Sequence, residues 1–427
     1  MRITAITLGS YGDIMPFIIL GKELINRGYK YRIATFENYK DIIEKNGMTF
    51  LRISGDADEM VGLLLGNSNN TCSEGMNGIG FLLEKYPQLY NDFLRACIKS
   101  DLIIYMQFGA LAYHFAEKFH IPVIRTFAFP FDVTKKYCSL LDTMKRNNLY
   151  CYFGNVMCQM MMSWAAMKTV NIWRRRLGLK RMGKFGNYRK INGKKIITLY
   201  QYDNILANKD KNWGTHIYLT GNWINPITDK KSSGVGSLHR FIEEQKGVVY
   251  VGFGSMNYNK IEELYHIIIK ILLKTNKGII VPESCKNLIK KEFVNESHRI
   301  YTIGYIPFEQ FIGKIDAAIH HGGNGTVHAC LRNGTPQLIM AFGADQVFWG
   351  GQCFYLGIGP APINIKKKID ETELEKQIRD LINNNIYKKN SLKLSSEVSE
   401  DGVKTAADII QKNFPLTNKD QLVIVNT

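Results

Sequence analysis

The sequence predicts an α/β protein built from two doubly wound domains, each with a parallel sheet between layers of helices. The chain of 427 residues is too long for one ordinary core and suits two domains of roughly 200 residues each. Short β-rich runs alternate with helical patterns, and the order strand, helix, strand produces parallel sheets. A polar, glycine-rich segment at 225–236 interrupts this alternation and separates two series of elements.

The first series begins with a strand that runs into a glycine turn. Four runs have the composition of buried strands: Arg2–Leu8, Tyr31–Phe36, Leu102–Gln107 and Pro122–Phe127. Apolar residues at helical spacing predict a helix over Met15–Arg27, which begins near Pro16 and stops at Gly28. The alternation pauses near Ile196–Tyr202 and Ile217–Trp223.

The second series has the same pattern. Its predicted strands are Gly247–Phe253, Lys277–Val281, Ile315–Ile319, Gln337–Ala341 and Pro362–Ile365. A helix is predicted over Ile261–Lys274, and a last helix over Val403–Lys412 is expected to pack back across the first domain. We therefore predict domains at 1–215 and 241–402, an interdomain strand and linker at 216–240, and a C-terminal helix and tail at 403–427. Ligands bind such folds in the cleft at the carboxyl ends of the strands.

The composition favours a cytoplasmic protein. The N-terminus lacks the basic start and the longer apolar stretch of a signal peptide, and no run of about 18 apolar residues occurs. The eight cysteines are scattered without a close pair at metal-site or redox spacing. We therefore expect reduced thiols.

The net charge of +17 is concentrated in one window. Between Asp142 and Asp203 there is no acidic residue, and the region 145–195 holds thirteen lysines and arginines. Such a block favours nucleic acid, acidic lipid head groups or an anionic substrate. The apolar stretch Leu149–Met167, rich in methionine and aromatic residues, precedes the main basic cluster. This order favours peripheral contact with the inner face of an anionic membrane, and the alternative is a core-facing helix with a solvated basic edge.

A glycine-rich turn, His320-His321-Gly-Gly-Asn-Gly-Thr326, follows a predicted strand and precedes a helix. Backbone N–H groups and the helix N-terminus can bind an anion there, and the side chains of Asn324 and Thr326 add donors. His321 can donate to a phosphate oxygen and offset charge on a leaving diphosphate. The alternative is a tight structural turn. A metal is disfavoured, because neighbouring side chains point apart and no third ligand lies nearby in the sequence.

Three other predicted strands end in polar side chains. Asp345 and Gln346 follow one of them, and an acid–amide pair can hold vicinal hydroxyls of a sugar. Ser255 follows another and could reach a phosphate. Asp13 follows the first strand and could remove a proton from a hydroxyl. For both aspartates, the alternative is a helix cap.

Together these segments resemble the family 1 glycosyltransferases of the GT-B fold, in the branch of sterol glucosyltransferases and of macrolide and glycopeptide antibiotic glycosyltransferases. The resemblance covers nearly the whole chain, and its ordered series is more specific than any one piece. The matching segments are Gly9–Phe17, Leu20-Gly21, Arg27-Gly28, Thr220–Trp223, Val249–Met256, His320–Thr326, Asp345–Gly350, Gly357–Pro360 and Asp401-Gly402. The resemblance implies two Rossmann-like domains facing across a cleft, the first for the acceptor and the second for a nucleotide-sugar.

The resemblance also implies roles for single residues. Asp13 falls at the position of the catalytic base, and His321 at a position that supports the leaving diphosphate. The implied donor contacts are Gly12, Ser255, Ile306, His321, Gly322, Gly323, Asn324, Gly325, Thr326, Asp345 and Gln346. Among them, the backbone around Ile306 corresponds to the loop that reads the nucleotide base. Such enzymes invert the anomeric centre in one displacement and need no metal.

Two features depart from this pattern. Asp56-Ala-Asp58 has the D-x-D spacing of metal-dependent glycosyltransferases of another fold. It lies far along the chain from the glycine-rich turn His320–Thr326, which we call the phosphate turn after its predicted ligand. The segment Pro282–Asn287 differs from the glycine–tryptophan loop common at that place, which weakens any base contact assigned there.

The sequence therefore predicts transfer of a hexose to a hydroxyl of a lipidic or large apolar natural product, with UDP-glucose as the donor. Two alternatives stay open: a transferase that uses a dTDP-deoxysugar, and a non-catalytic helper protein with the same fold. A nucleic-acid partner is disfavoured, because the basic block lacks interleaved aromatic residues and module motifs.

Overall fold

The computed structural model describes most of the chain as an α/β protein with two parallel sheets. The predicted fold class is confirmed. The described residues are 1–60, 80–141, 143–144, 146–183, 188–224, 234–254, 260–304, 306–343, 345–367 and 369–416.

The first sheet has the strand order β3-β2-β1-β4-β5-β8-β9, and all of its neighbouring strands pair in parallel. A short antiparallel hairpin, β6-β7, precedes β8. The strands are β1 Arg2–Ile6, β2 Lys30–Thr35, β3 Thr49–Arg52, β4 Leu102–Met106, β5 Val123–Phe127, β6 Lys190–Ile191, β7 Lys194–Lys195, β8 Ile197–Tyr200 and β9 Ile217–Leu219. The order 3-2-1-4-5 is the Rossmann arrangement.

Helices cover both faces of this sheet. Successive residues of a strand point to opposite faces of a sheet. In β4, Ile103 belongs to one buried apolar cluster and Ile104 to another, so both faces are covered. The helices include α1 Tyr11–Asn26, α2 Lys40–Lys45, α3 Leu89–Cys97, α4 Ala112–Phe119 and α5 Asn148–Arg176. The predicted start of the first helix near Pro16 is wrong. Ser10 and Asp13 form a capping box that starts α1 at Tyr11.

The second sheet has the order β12-β11-β10-β13-β14-β15, again with parallel pairs. Its strands are β10 Val248–Gly252, β11 Gly278–Pro282, β12 Ile300–Ile303, β13 Ala317–His320, β14 Gln337–Ala341 and β15 Ile363–Asn364. Its helices include α6 Val235–Glu244, α7 Ile261–Leu273, α8 Lys286–Glu292, α9 Asn324–Arg332, α10 Gln346–Tyr355, α11 Glu371–Asn383 and α12 Asn385–Ser395. Because β1 and β13 both run into glycine turns, the polar turns of the two halves lie at carboxyl ends of strands.

The last described helix, α13 Gly402–Asn413, returns to the first half of the chain and packs against α1. Ala406 and Ile410 are fully buried in the same cluster as Phe17. Arg27 at the end of α1 donates to Asp408 at 2.5 Å. The predicted interdomain segment 216–240 contains β9, which belongs to the first sheet, and positions 225–233, which lie outside the described residues.

The two halves meet through a buried apolar contact. Tyr202, just after β8, lies 5.4 Å from Trp349 of α10 between ring centroids. Tyr137, between β5 and α5, contacts Phe348 of the same helix with centroids 5.6 Å apart. Both contacts involve the helix that follows Asp345.

The expectation that the thiols are reduced is wrong for one pair. Cys138 and Cys151 form a disulfide with their Cα atoms 4.5 Å apart. They are 13 positions apart in the sequence, and Cys151 lies in the first turn of α5. Cys97, Cys158, Cys285, Cys330 and Cys353 are buried free thiols. None of the helices in the described ranges is both long enough and apolar enough to cross a membrane.

Candidate functional site

The glycine turn after β13 is held by His320, for which the sequence predicts no role in the site. Gly322 has φ of +86°, and its N–H donates to His320 Nδ1 at 3.1 Å. Since Nδ1 accepts, the neutral ring carries its proton on Nε2, which lies 2.9 Å from Gln337 Oε1. Burial lowers the pKa of His320 to about 3, so the ring stays neutral. The adjacent pair His320-His321 was the sequence feature that could have indicated this role, but such a pair suggests only a metal site.

At two positions of the turn, any residue larger than glycine would clash with a neighbouring side chain. A Cβ on Gly322 would lie 2.6 Å from Ile339 Cγ2, and a Cβ on Gly323 would lie 2.5 Å from His321 Nε2. Gly325 is exposed, and a Cβ added there would have no neighbouring atom within 4 Å. Helix α9 begins at Asn324, so the backbone N–H groups of its first turn, with the buried Thr326, lie at the positive end of the helix dipole.

His321 lies between this turn and the end of β10. A Cβ added to Gly254 would lie 3.2 Å from His321 Cε1. Strands β10 and β13 are paired here, with Gly252 opposite His320. Within the described part of the chain His321 Nδ1 has no hydrogen-bond partner. Burial lowers the pKa of His321 to about 4, partly offset by the Gly252 carbonyl. The ring is therefore neutral at physiological pH, with one nitrogen able to donate a hydrogen bond and the other able to accept one.

Asn324 faces the other half of the molecule. Its Nδ2 donates to the carbonyl of Gln201 at 2.9 Å, and its Oδ1 is buried with no partner among the residues described. One helical turn later, His328 Nε2 accepts from Asp203 N at 3.0 Å. One side of α9 thus contacts the segment after β8, so the carboxyl edges of the two sheets meet there.

Asp345 and Gln346 lie at the end of β14, as their position in the sequence predicts. Asp345 Oδ2 accepts from Trp349 Nε1 at 2.9 Å, and Gln346 Oε1 accepts from Phe342 N at 2.7 Å. Because an amide oxygen has two lone pairs, the backbone bond to Oε1 does not exclude a sugar hydroxyl from the Gln346 amide.

The phosphate turn and this strand end are in contact. A Cβ on Gly322 would lie 3.4 Å from both the Cβ and the carbonyl oxygen of Gln346. A glycine turn suited to an anion and an acid–amide pair suited to a polyol therefore lie side by side.

Asp13 lies in the first turn of α1, next to the exposed Gly12. Its Oδ2 accepts from Ser10 N at 2.7 Å and from Ser10 Oγ at 2.9 Å, while Oδ1 receives no hydrogen bond from the described residues. Burial raises the pKa of Asp13, and the two bonds from Ser10 partly offset the rise. The capping role and a role as a base are compatible, because they use different oxygens.

Asp13 and the glycine turn after β13 follow strands of different sheets, and the contact between the sheets lies to one side of Asp13. Asp13 follows β1, whereas the contact with Asn324 follows β8, three strands away in the first sheet. Three strand spacings are about 14 Å, which leaves room for a sugar and an acceptor between them.

The remaining predicted positions divide into two groups. Ile306 is half-buried after β12 and packs against the cluster that contains Leu238. Ser255, like Tyr305 beside Ile306, lies outside the described residues. Asp56 of the D-x-D pattern accepts from Asn38 Nδ2 and from two backbone N–H groups, which is a capping role. The described residues contain no group of three or more metal-ligating side chains.

Solved glycosyltransferases share this architecture. The glycotransferase of kitacinnamycin superposes with a TM-score of 0.69 at 15% identity, covering 97% of this chain and 99% of that chain. The calicheamicin glycosyltransferase CalG4 superposes with a TM-score of 0.68 at 13% identity, covering 96% and 98%. At these identities the likeness establishes the GT-B fold.

Two family models match in the expected order. The glycosyltransferase family 28 N-terminal domain matches residues 3–138, and the C-terminal domain of erythromycin biosynthesis protein CIII-like proteins matches residues 276–412. The chain belongs to the GT-B glycosyltransferases. The second match contains the phosphate turn and the Asp345–Gln346 pair, and the first contains Asp13.

Curated relatives of this GT-B glycosyltransferase include fungal sterol 3-beta-glucosyltransferases. The protein of Saccharomyces cerevisiae (strain YJM789) is 28% identical over 443 residues, covering 99% of this chain and 36% of the relative. That of Glomerella lagenarium is 31% identical over 373 residues, covering 84% of this chain and 25% of the relative. The chain thus spans about a third or less of the length of these two relatives.

Proposed function

We propose that this protein transfers a hexose from a nucleotide diphosphate to an acceptor hydroxyl, with inversion and without a metal. The observation that carries the proposal is the contact at Gly322 between the glycine turn that opens α9 and Gln346 of the Asp345–Gln346 pair. A nucleotide-sugar presents its diphosphate beside its sugar, so one ligand would fill both parts. The domain roles follow, with the acceptor in the N-terminal half and the donor in the C-terminal half.

On the donor side, the first-turn N–H groups of α9 would bind the diphosphate. His321, neutral at physiological pH, would donate to a phosphate oxygen and stabilise the charge that develops on the leaving group. Asp345 would accept hydrogen bonds from sugar hydroxyls. Gly12, Ser255 and the backbone at Ile306 remain proposed contacts.

On the acceptor side, Asp13 would be the base. The acceptor oxygen forms a bond to the anomeric carbon while the bond from that carbon to the diphosphate oxygen breaks. The proton of the acceptor hydroxyl passes to Asp13 Oδ1, and the electron pair of the broken bond leaves with the nucleoside diphosphate. A single displacement of this kind inverts the anomeric centre.

The donor we propose is UDP-glucose, because the sterol glucosyltransferases similar to this chain are named for glucose transfer. The acceptor we propose is a lipidic or large apolar molecule, taken up at the inner face of an anionic membrane. The second candidate is a dTDP-deoxysugar donor, favoured by a structural neighbour solved with thymidine diphosphate. A non-catalytic helper protein is disfavoured by Asp13, whose carboxylate is both positioned and partly desolvated.

Product analysis with the Asp13→Asn variant tests this proposal. The purified protein would be incubated with UDP-glucose or dTDP-glucose and a lipid extract, and the glycosylated product would be identified by mass spectrometry. We expect product from the unchanged protein, none from Asp13→Asn, and equal UDP affinity in both. Asp41→Asn, an exposed carboxylate on α2, is the matched control. Full turnover by Asp13→Asn would refute the assignment of the base.

A further inference from the structure

Helix α5 turns large apolar side chains toward solvent along its first half. Leu149 and Phe153 are each 62% exposed, Met157 is 49% exposed and Trp164 is 43% exposed. With Met161, they recur at intervals of three or four residues and form one stripe about 22 Å long. Residues 148–167 include no charged side chain. A stripe of this size on a soluble surface marks an interaction site.

The orientation of the helix is fixed by its other face. Asn155 is buried and donates from Nδ2 to the carbonyl of Tyr137 at 2.7 Å. Cys151 is bonded to Cys138, and Ala166 and Val170 join the core of the first half. The stripe therefore cannot rotate inward. The alternative that this helix simply faces the core is wrong for Met157 and Met161, which are exposed.

The basic cluster predicted beside this stretch lies mostly at the far end of the helix. Arg175 is 26 residues from Leu149, about 39 Å along the axis. Arg174 is buried and forms an ion pair with Glu117 at 2.6 Å. Lys145 and Lys184 lie outside the described residues. The cationic part of the 145–195 region is thus partly structural and mostly distant from Leu149, Phe153 and Met157.

A different group of lysines lies at the apolar end. An open cavity of about 610 Å³ is lined by Lys135, Lys136, Asn148, Lys209, Asp210, Lys211 and Asn212. Asn148 is the residue before Leu149, and Lys135 Nζ lies 5.8 Å from the ring centroid of Tyr152. The carboxylate of Asp210 accepts from Thr134 and Asn212, and Lys209 Nζ donates to the carbonyl of Ile217 at 2.6 Å. Four lysines and one carboxylate therefore line the cavity, which gives it a positive net charge.

We propose that this end of α5 docks on an anionic phospholipid bilayer. Leu149, Phe153 and Met157 enter the interfacial layer, and the lysine-lined cavity takes the phosphate of an acidic head group. The inference rests on the proposed function for its membrane acceptor. It differs from the sequence prediction by moving the cationic contact from 145–195 to Lys135, Lys136, Lys209 and Lys211.

Charge complementarity selects this occupant. An uncharged apolar stripe bordered by cations matches the acyl and head-group layers of an acidic membrane, where each lysine near the surface strengthens binding roughly fivefold. A symmetric dimer formed through the stripe would bring two surfaces of the same positive sign together. It would therefore be repelled at low salt.

Vesicle flotation of the full chain, without donor or acceptor, tests the proposal. The vesicles are phosphatidylcholine alone, and phosphatidylcholine mixed with phosphatidylserine. We expect binding only to the mixed vesicles, with loss on addition of salt. Leu149→Ser with Phe153→Ser, and separately Lys135→Glu with Lys211→Glu, should each reduce binding at least tenfold. All four residues are exposed, so thermal unfolding should be unchanged.

Two control variants sharpen the test. Ile386→Ser removes an equally exposed apolar side chain from α12, and should leave binding unchanged. Lys194→Glu with Lys195→Glu alters the exposed β6-β7 hairpin of the basic region, and should also leave it unchanged. Loss in the hairpin variant alone, no binding by the unchanged protein, or a dimer abolished by Phe153→Ser would each overturn the proposal. Hydrolysis of UDP-glucose in detergent, measured in parallel, separates failed docking from failed catalysis.

Discussion

His320 and Gln337 form a buried pair beneath the phosphate turn, with Nε2 of the histidine 2.9 Å from Oε1 of the glutamine. The pair fixes which ring nitrogen carries the proton. Nδ1 is thereby left to accept from Gly322 N, and the turn is held in the conformation that opens α9. His320 would therefore act as a positioning residue for the proposed donor site.

Replacing the glutamine tests this arrangement. We expect Gln337→Leu to lower the free energy of unfolding by about 1–3 kcal/mol, because a buried N–H would lose its acceptor. UDP affinity should fall as well, since the ring could take the other tautomer and repel Gly322 N–H. Urea unfolding and titration calorimetry measure the two effects. Unchanged UDP affinity in a destabilised variant would limit the pair to a structural role.

The glycines of the turn should respond differently to alanine. Gly322→Ala combines a positive φ with a Cβ placed 2.6 Å from Ile339, so we expect a loss of about 1–3 kcal/mol in stability. In Gly325→Ala the added Cβ has no neighbouring atom within 4 Å, so the free energy of unfolding should change by no more than about 0.5 kcal/mol. The substitution should nevertheless weaken UDP binding if the first turn of α9 holds the diphosphate. Equal stability losses in the two variants would contradict the described backbone.

The pH dependence of transfer should report on Asp13. The proposed base works only when deprotonated, so kcat/KM should rise with pH through the pKa of Asp13, which burial raises above its ordinary value. The hydrogen bond from Ser10 Oγ lowers that pKa. Ser10→Ala should therefore move the acid limb of the profile to higher pH while UDP binding stays constant. An acid limb that does not move would separate Asp13 from the proton transfer.

Buried histidines predict a loss of stability in mild acid. Burial lowers the pKa of His114, His320 and His328 to about 3 in each case. The unfolded chain binds these protons near pH 6.5 and the folded chain does not, so stability falls as pH drops below that value. The slope is about 1.4 kcal/mol per pH unit for each such histidine. Urea unfolding at pH 7 and pH 5 measures it, and equal midpoints would contradict neutral buried rings.

The sequence predicted the elements of the fold well where the evidence is local. The buried run Gln337–Ala341 is a strand with the predicted bounds, and the glycine turn after β13 opens a helix as expected. Helix α1 begins earlier than its apolar spacing predicts, because the predicted start near Pro16 ignores the cap formed by Ser10 and Asp13. The capping box of Ser10 and Asp13 begins the helix at Tyr11, so Pro16 lies inside it, in the second turn.

The parts that escaped prediction depend on contacts between distant residues. The bond between Asn324 and Gln201 joins positions 123 residues apart, and no local pattern encodes it. The tautomer of His320 depends on Gln337, which is 17 residues away and is buried only in the folded chain. The cationic border of the apolar stripe likewise comes from Lys135 and Lys211, which flank the acid-free window rather than lie within it.

The return of α13 to α1 has a consequence for exchanging parts between relatives. The helix that carries Asp13 is completed by Ala406 and Ile410, and Tyr29 donates to the carbonyl of Phe414 at 2.9 Å. The first half of the fold is therefore assembled from residues near both ends of the described chain. A chimera that takes only residues before the linker would leave Phe17 and Leu24 without their covering layer. A swap that also carries residues 402–414 would transplant a complete folding unit.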